Sequence, residues 1–75
     1  LDPNLGQAFS HRGIAYLGKG DVQRALADLN EGIRLAPKDP YTYSKRGDFY
    51  HAQGDNQRAL ADYDAALRID PRLNE

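Results

Sequence analysis

The sequence predicts an all-α fold of four helices, arranged as two antiparallel helix-turn-helix repeats stacked as a solenoid. Three observations predict it. The stretch Gly20-Asp21-Val22-Gln23-Arg24-Ala25-Leu26-Ala27-Asp28 returns 34 residues later, from Gly54 to Asp62, with only its third residue changed. The same shift brings Pro3, Pro37 and Pro71 into step, as it does Arg12-Gly13 with Arg46-Gly47, Tyr16 with Tyr50, and Arg34 with Arg68. A fixed period of this length marks stacked repeats. Between the repeated landmarks, bulky and small residues recur at helical spacing, and glycine, aspartate and proline recur where helices should start and stop. Nothing in either repeat reads as a strand.

In the first helix Asn4 serves as N-cap, and Phe9, Gly13, Tyr16 and Gly20 recur at spacings of 4, 3 and 4. Gly18-Lys19-Gly20 ends it, since paired glycines favour a C-cap and a tight turn. Asp21 caps the second helix by accepting a backbone N–H, and its charge suits the positive end of the helix dipole. The apolar stripe of that helix is Ala25, Leu29, Gly32 and Ile33, and it stops near Leu35 because Ala36 precedes a proline. Asp39-Pro40 opens the third helix as an N-cap with proline at the first helical position. Tyr43, Gly47, Tyr50 and Gly54 repeat the face of the first helix. Asp55 caps the fourth, whose stripe is Ala59, Tyr63, Ala66 and Leu67, and Asp70-Pro71 ends it. The chain is thus one unit over residues 1–75: 1–5 close a preceding repeat, 6–39 and 40–73 are the two repeats, and 74–75 start a following segment. Leu1-Asp2-Pro3 matches Leu35-Ala36-Pro37 and Ile69-Asp70-Pro71, so the chain is expected to be cut from a longer protein.

Composition excludes several chemistries. Lys plus Arg come to 10 and Asp plus Glu to 11, a balance that offers no electrostatic reason to expect nucleic acid or an acidic membrane. Arg24, Arg34, Arg58 and Arg68 share their helices with Asp28, Glu31, Asp62 and Asp64, so no basic stripe emerges. There is no cysteine, hence no disulfide, thiolate metal site or cysteine nucleophile, and the compartment stays open. No run of about 18 apolar residues is present to span a bilayer.

Phe9, Gly13, Tyr16, Ala25, Leu29 and Pro37, then Tyr43, Gly47, Tyr50, Ala59, Tyr63 and Pro71, resemble the signature of the tetratricopeptide repeat (TPR) family, which shares the 34-residue period. Both repeats depart from it once, with Arg12 and Arg46 where the pattern has leucine. The resemblance implies antiparallel helix pairs stacked as a right-handed superhelix, with the first helix of each pair lining a concave groove that binds other proteins.

Glycine inside a helix costs roughly 1 kcal/mol relative to alanine, so Gly13 and Gly47 need a packing reason. The hairpin turns bring Gly13 toward Ala25 and Gly47 toward Ala59, and Gly32 toward Thr42 and Tyr43, where it leaves room for the Tyr43 ring. The arginines find a reason in symmetry. Arg12 and Asp28 are equidistant from residue 20, Asp28 and Arg46 from 37, and Arg46 and Asp62 from 54. Equidistance from a turn means equal height in antiparallel neighbours, so Arg12, Asp28, Arg46 and Asp62 are expected to form an alternating ion-pair ladder through the stack.

The faces of the first and third helices not used for packing carry Gln7, Ser10, Ile14 and Leu17, and Tyr41, Ser44, Asp48 and His51. By the resemblance these residues line the groove, and their mixture of apolar and polar groups suits a partner peptide. A lysine, asparagine and arginine clamp for a C-terminal carboxylate is not expected, because only His11 and Lys45 flank the serines, Ile14 and Asp48. Asp48, His51 and Asp55 stand at i, i+3 and i+7, but Asp55 is committed as an N-cap and no further ligand or nucleophile lies near in sequence. No catalytic residue, metal site or cofactor is therefore expected, and the chain reads as non-enzymatic.

Two functional readings remain. In the first, the groove binds a protein or peptide partner. In the second, the unit is structural. The second helix of repeat 1 is covered by repeat 2, whereas the equivalent Tyr63, Ala66, Leu67 and Ile69 have no following repeat over them. Either these residues meet a following repeat of a longer array from which the chain is excised, or they are expected to join a second copy, by stacking or by exchanging a helix pair across the Pro37 hinge, giving a homo-oligomer.

Overall fold

The computed structural model describes residues 3–74. Leu1, Asp2 and Glu75 lie outside the described residues, and with them the two ends of the repeat assignment. Four helices follow one another: α1 (Pro3–Gly18), α2 (Val22–Leu35), α3 (Pro40–Ala52) and α4 (Asn56–Ile69), closed by one 3₁₀ turn at Pro71–Asn74. They form a slab of 31 × 30 × 17 Å. α1 pairs with α2 and α3 with α4, while α3 also packs on both helices of the first pair. Among the described residues α4 packs only on α3 and on the 3₁₀ turn.

The turns within the pairs are built alike. At the first, Gly20 takes a φ of +82°, and at the second Gly54 takes +79°. Asp21 N–H donates to the Tyr16 carbonyl at 2.9 Å and Gly20 N–H to Leu17 at 3.0 Å; Asp55 N–H and Gly54 N–H do the same to Tyr50 and His51 at 2.9 and 3.0 Å. This is the Schellman arrangement, in which a left-handed residue lets the chain satisfy the last carbonyls of a helix. The next residue at once becomes the cap of the following helix, since Asp21 and Asp55 accept from the N–H groups of Arg24 and Arg58 at 3.2 Å. Asp39 caps α3 through Tyr41 N–H, with Pro40 at its first turn. The expected Asn4 cap does not occur. α1 already begins at Pro3, where a missing N–H costs nothing, so Asn4 lies inside the helix.

The α1–α2 seam is lined with small residues at matching heights. A Cβ on Gly6 would lie 2.7 Å from the Ala36 Cβ, one on Gly13 2.9 Å from both the Ala25 carbonyl oxygen and the Leu29 Cγ, and one on Gly32 2.5 Å from the Ser10 Oγ. Gly13 therefore meets Ala25 as the hairpin predicts. Gly32 does not face Thr42 and Tyr43. It faces back into its own pair, where its missing side chain makes room for Ser10 and the Gly6 carbonyl. Gly47 abuts the Tyr63 ring, 2.8 Å from a would-be Cβ, because Tyr63 stands where the first repeat has Leu29 and its ring spreads across the glycine.

The core is Ala25, Leu29 and Phe49, surrounded by Ile14, Tyr16, Leu17, Leu26 and Tyr50. Phe49 comes from α3, so the third helix completes the core of the first pair. The loop between the pairs is fastened by Thr42, whose buried hydroxyl donates to the carbonyls of Asp39 at 2.8 Å and Ala36 at 3.2 Å.

Candidate functional site

α1 and α3 lie side by side, and the side chains between them form a polar and aromatic strip. Gln7 Nε2 donates to Asp39 Oδ2 at 2.8 Å. The Tyr41 hydroxyl lies 2.9 Å from His11 Nε2, with ring centroids 5.3 Å apart. Lys45 Nζ sits 5.2 Å from the Tyr41 ring centroid and 3.6 Å from Asp48 Oδ2. Asp48 Oδ1 in turn accepts from the Tyr63 hydroxyl of α4 at 2.5 Å. Burial of the ring, and then this hydrogen bond to a carboxylate, push the Tyr63 phenol up to about 12. The strip thus crosses three helices, offering an imidazole, a phenol, an ammonium and a carboxylate at the surface.

Not every residue assigned to the groove reaches it. Tyr41, Ser44, Asp48 and His51 of α3 keep accessible surface, as does Gln7. Ser10 is fully buried, its hydroxyl donating to the Gly6 carbonyl at 3.1 Å. It cannot touch a partner, because glycine at position 32 draws the two helices together over it. Ile14 and Leu17 are half-buried against the Ala25–Leu29–Phe49 core. His11 and Lys45, which sequence spacing places only beside the groove, hold central places in the strip. The signal for His11 was its i, i+4 relation to Gln7, a step that follows the line of contact with α3.

The four charges form two separate forks. Arg12 grips Asp28 through Nε at 2.8 Å and Nη2 at 3.0 Å, and Arg46 grips Asp62 through the same two nitrogens at 2.8 Å each. The expected middle rung from Asp28 to Arg46 is not made among the described residues. Both oxygens of Asp28 are already held by Arg12, and one edge of Arg46 is filled by Asp62. The remaining Nη1 of Arg46 donates instead to Asn30 Oδ1 of α2 at 3.0 Å, linking the two pairs through a neutral acceptor. Each guanidinium also lies between two rings, Arg12 at 5.3 and 5.9 Å from Phe9 and Tyr16, and Arg46 at 5.9 Å from both Tyr43 and Tyr50. The hydrogen bond to the partner aspartate, foremost, raises both guanidinium pKa values.

On the outer side of α4, Ala66 is already buried, Tyr63 and Leu67 are half-buried, and Ile69 is exposed. Ala66 therefore drops out of the expected self-association surface, because α3 and α4 close over it. Leu60, which the sequence reading did not single out, is 63% exposed there. On the far side of α1 an open recess of about 200 Å³ is lined by Leu5, Ala8, Phe9 and Arg12. Among the described residues no group of three or more histidines, cysteines or carboxylates could hold a metal ion, and no helix is long and apolar enough to cross a membrane.

The model of the tetratricopeptide repeat family matches residues 11–74, a span that holds the turn of each pair, both arginine forks and the α3 part of the strip. No curated protein matches the chain significantly. With four helices packed pairwise, a 34-residue period and a family match over most of its length, the chain belongs to the tetratricopeptide repeat family.

Proposed function

We propose that the chain binds a partner peptide along the α1–α3 face. Tetratricopeptide repeats are generally protein–protein interaction modules, and the observation that carries the finer reading is the strip from His11 through Tyr41 and Lys45 to Asp48. A phenol ring supplies broad apolar contact with a polar tip, and the flanking ammonium and carboxylate supply orientation. Gln7, Ser44 and His51 extend the face to either side. The test is to select peptides by display against the chain and measure their affinity for variants. Tyr41→Ala and His11→Ala should each weaken the selected peptides at least tenfold, while Leu60→Glu on the far side of α4 leaves them unchanged. Peptides that bind both α1–α3 variants as tightly as the parent chain would exclude this face.

A second reading, assembly, is favoured by the exposed Leu60 and Ile69 on α4. Leu60 stands at i, i+3 and i+7 with Tyr63 and Leu67, an apolar stripe of the kind that self-associates, and Ile69 lies at the end of the same helix.

A further inference from the structure

The junction between the two helix pairs serves as a template for a second junction between molecules. Within the chain, α3 seats on the first pair with Arg46 reaching Asn30 of α2 at 3.0 Å. Shifting both residues by one repeat, Arg46 back to Arg12 and Asn30 forward to Asp64, gives a pair of opposite charge on opposite sides of the slab. Both are exposed. Asp64 has no hydrogen-bond or ion-pair partner among the described residues. Arg12 spends Nε and Nη2 on Asp28, its side chain is 60% exposed, and its Nη1, the nitrogen that Arg46 uses for Asn30, bonds none of the described residues.

The surroundings match in the same way. The recess beside Arg12 is lined by Leu5, Ala8 and Phe9. Their counterparts one repeat later include Thr42, which is fully buried where the second pair meets the first. On α4, the exposed Leu60 stands where Leu26 of α2 packs against the core that receives Phe49.

We propose that the chain stacks head to tail on a second copy of itself, α4 of one molecule seating in the α1 recess of the next with Asp64 paired to Arg12. This rests on the assembly reading and adds to it the partner and the alignment. The contact joins two different surfaces, so it leaves a free surface at each end and propagates beyond a dimer. Charge complementarity replaces the neutral asparagine of the internal junction by a carboxylate, which sets the alignment. One anchor is missing. The counterpart of Phe49 is the exposed Ala15, so the contact between copies lacks the ring that fills the internal one, and association is correspondingly weaker than pairing within the chain.

The decisive experiment is sedimentation velocity of the 75-residue chain over a concentration series, with variants at exposed positions whose helical content is checked by circular dichroism. The parent should grow past a dimer with concentration, and Ala15→Phe should associate at least tenfold more tightly. Asp64→Lys blocks one surface and Ala8→Glu the other, so each alone should be monomeric. Mixed together, they should form a heterodimer and stop there, because each retains one good surface. A dimer that ignores Ala8→Glu and shows no rescue on mixing would keep assembly through α4 but overturn the head-to-tail alignment. Parent and Ala15→Phe chains that stay monomeric throughout would overturn both.

Discussion

Each repeat sets an arginine between two aromatic rings and forks it onto an aspartate of the paired helix. The methylene stem and stacked guanidinium occupy the space of an aliphatic side chain, and the buried carboxylate finds two donors. The two forks are not equivalent, since the Arg46 side chain is 25% exposed and that of Arg12 60%. The difference follows from position: Arg46 lies where the pairs meet, Arg12 on an open face. A second asymmetry pairs two differences between the repeats. Leu29 and Ile14 in the first become Tyr63 and Asp48 in the second, an apolar contact traded for a hydrogen bond. That bond can be read out by titration. The neutral phenol is favoured in the fold, so its contribution is fully present below the ordinary value of 10 and is lost as pH rises through about 12. Absorbance titration should show a tyrosine step near pH 12, and Tyr63→Phe should remove it. Loss of a different step would assign the raised phenol elsewhere.

At the scale of elements, the turns within the pairs are the most constrained parts of the chain. One glycine and one aspartate together end a helix and begin the next. A Cβ at Gly20 or Gly54 would meet nothing within 4 Å, so a substitution there is opposed by backbone conformation alone. Gly20→Ala and Gly54→Ala should each cost about 1–2 kcal/mol, the penalty of left-handed geometry for an L-residue. Gly18 is equally open but has no positive φ, and Gly18→Ala should instead stabilise the chain by about 0.5–1 kcal/mol. Urea unfolding of the three variants checks both signs. Equal destabilisation of all three would mean that the turns are limited by space and not by backbone angle.

For the whole molecule, α3 is the element on which everything else rests, since it touches every other helix. Its Phe49 is 2% exposed inside the core of the first pair. Phe49→Ala should cost about 3–5 kcal/mol. A chain of this size has a total stability of only roughly 4–11 kcal/mol. The substitution should therefore unfold both pairs together or leave them marginal, as thermal unfolding followed by circular dichroism would show. Retention of one pair after loss of the other would mean that the pairs fold independently. The same geometry keeps the α1–α3 strip at the surface and leaves Arg12 of α1 and Leu60 and Asp64 of α4 exposed.

The sequence by itself determined the helices, their order and the caps of α2, α3 and α4, though not the start of α1. Those depend on local chemistry: Gly20 and Gly54 supply backbone freedom, Asp21, Asp39 and Asp55 supply acceptors, and Pro40 supplies a preset first turn. The repeat period carried the family, and the equal heights of Arg12 and Asp28, and of Arg46 and Asp62, carried the two forks. What only the tertiary structure decided was the rotation of each helix about its axis. Ser10 turns inward because Gly32 lets the helices close over it, His11 rather than Ser10 meets Tyr41, and Gly47 yields its space to Tyr63. Arg46 takes Asn30 in place of Asp28 because both carboxylate oxygens were already held. Periodicity sets the height of a residue along a helix to within a turn. The direction it faces is settled by the volumes of the side chains packed around it, which no single helix contains.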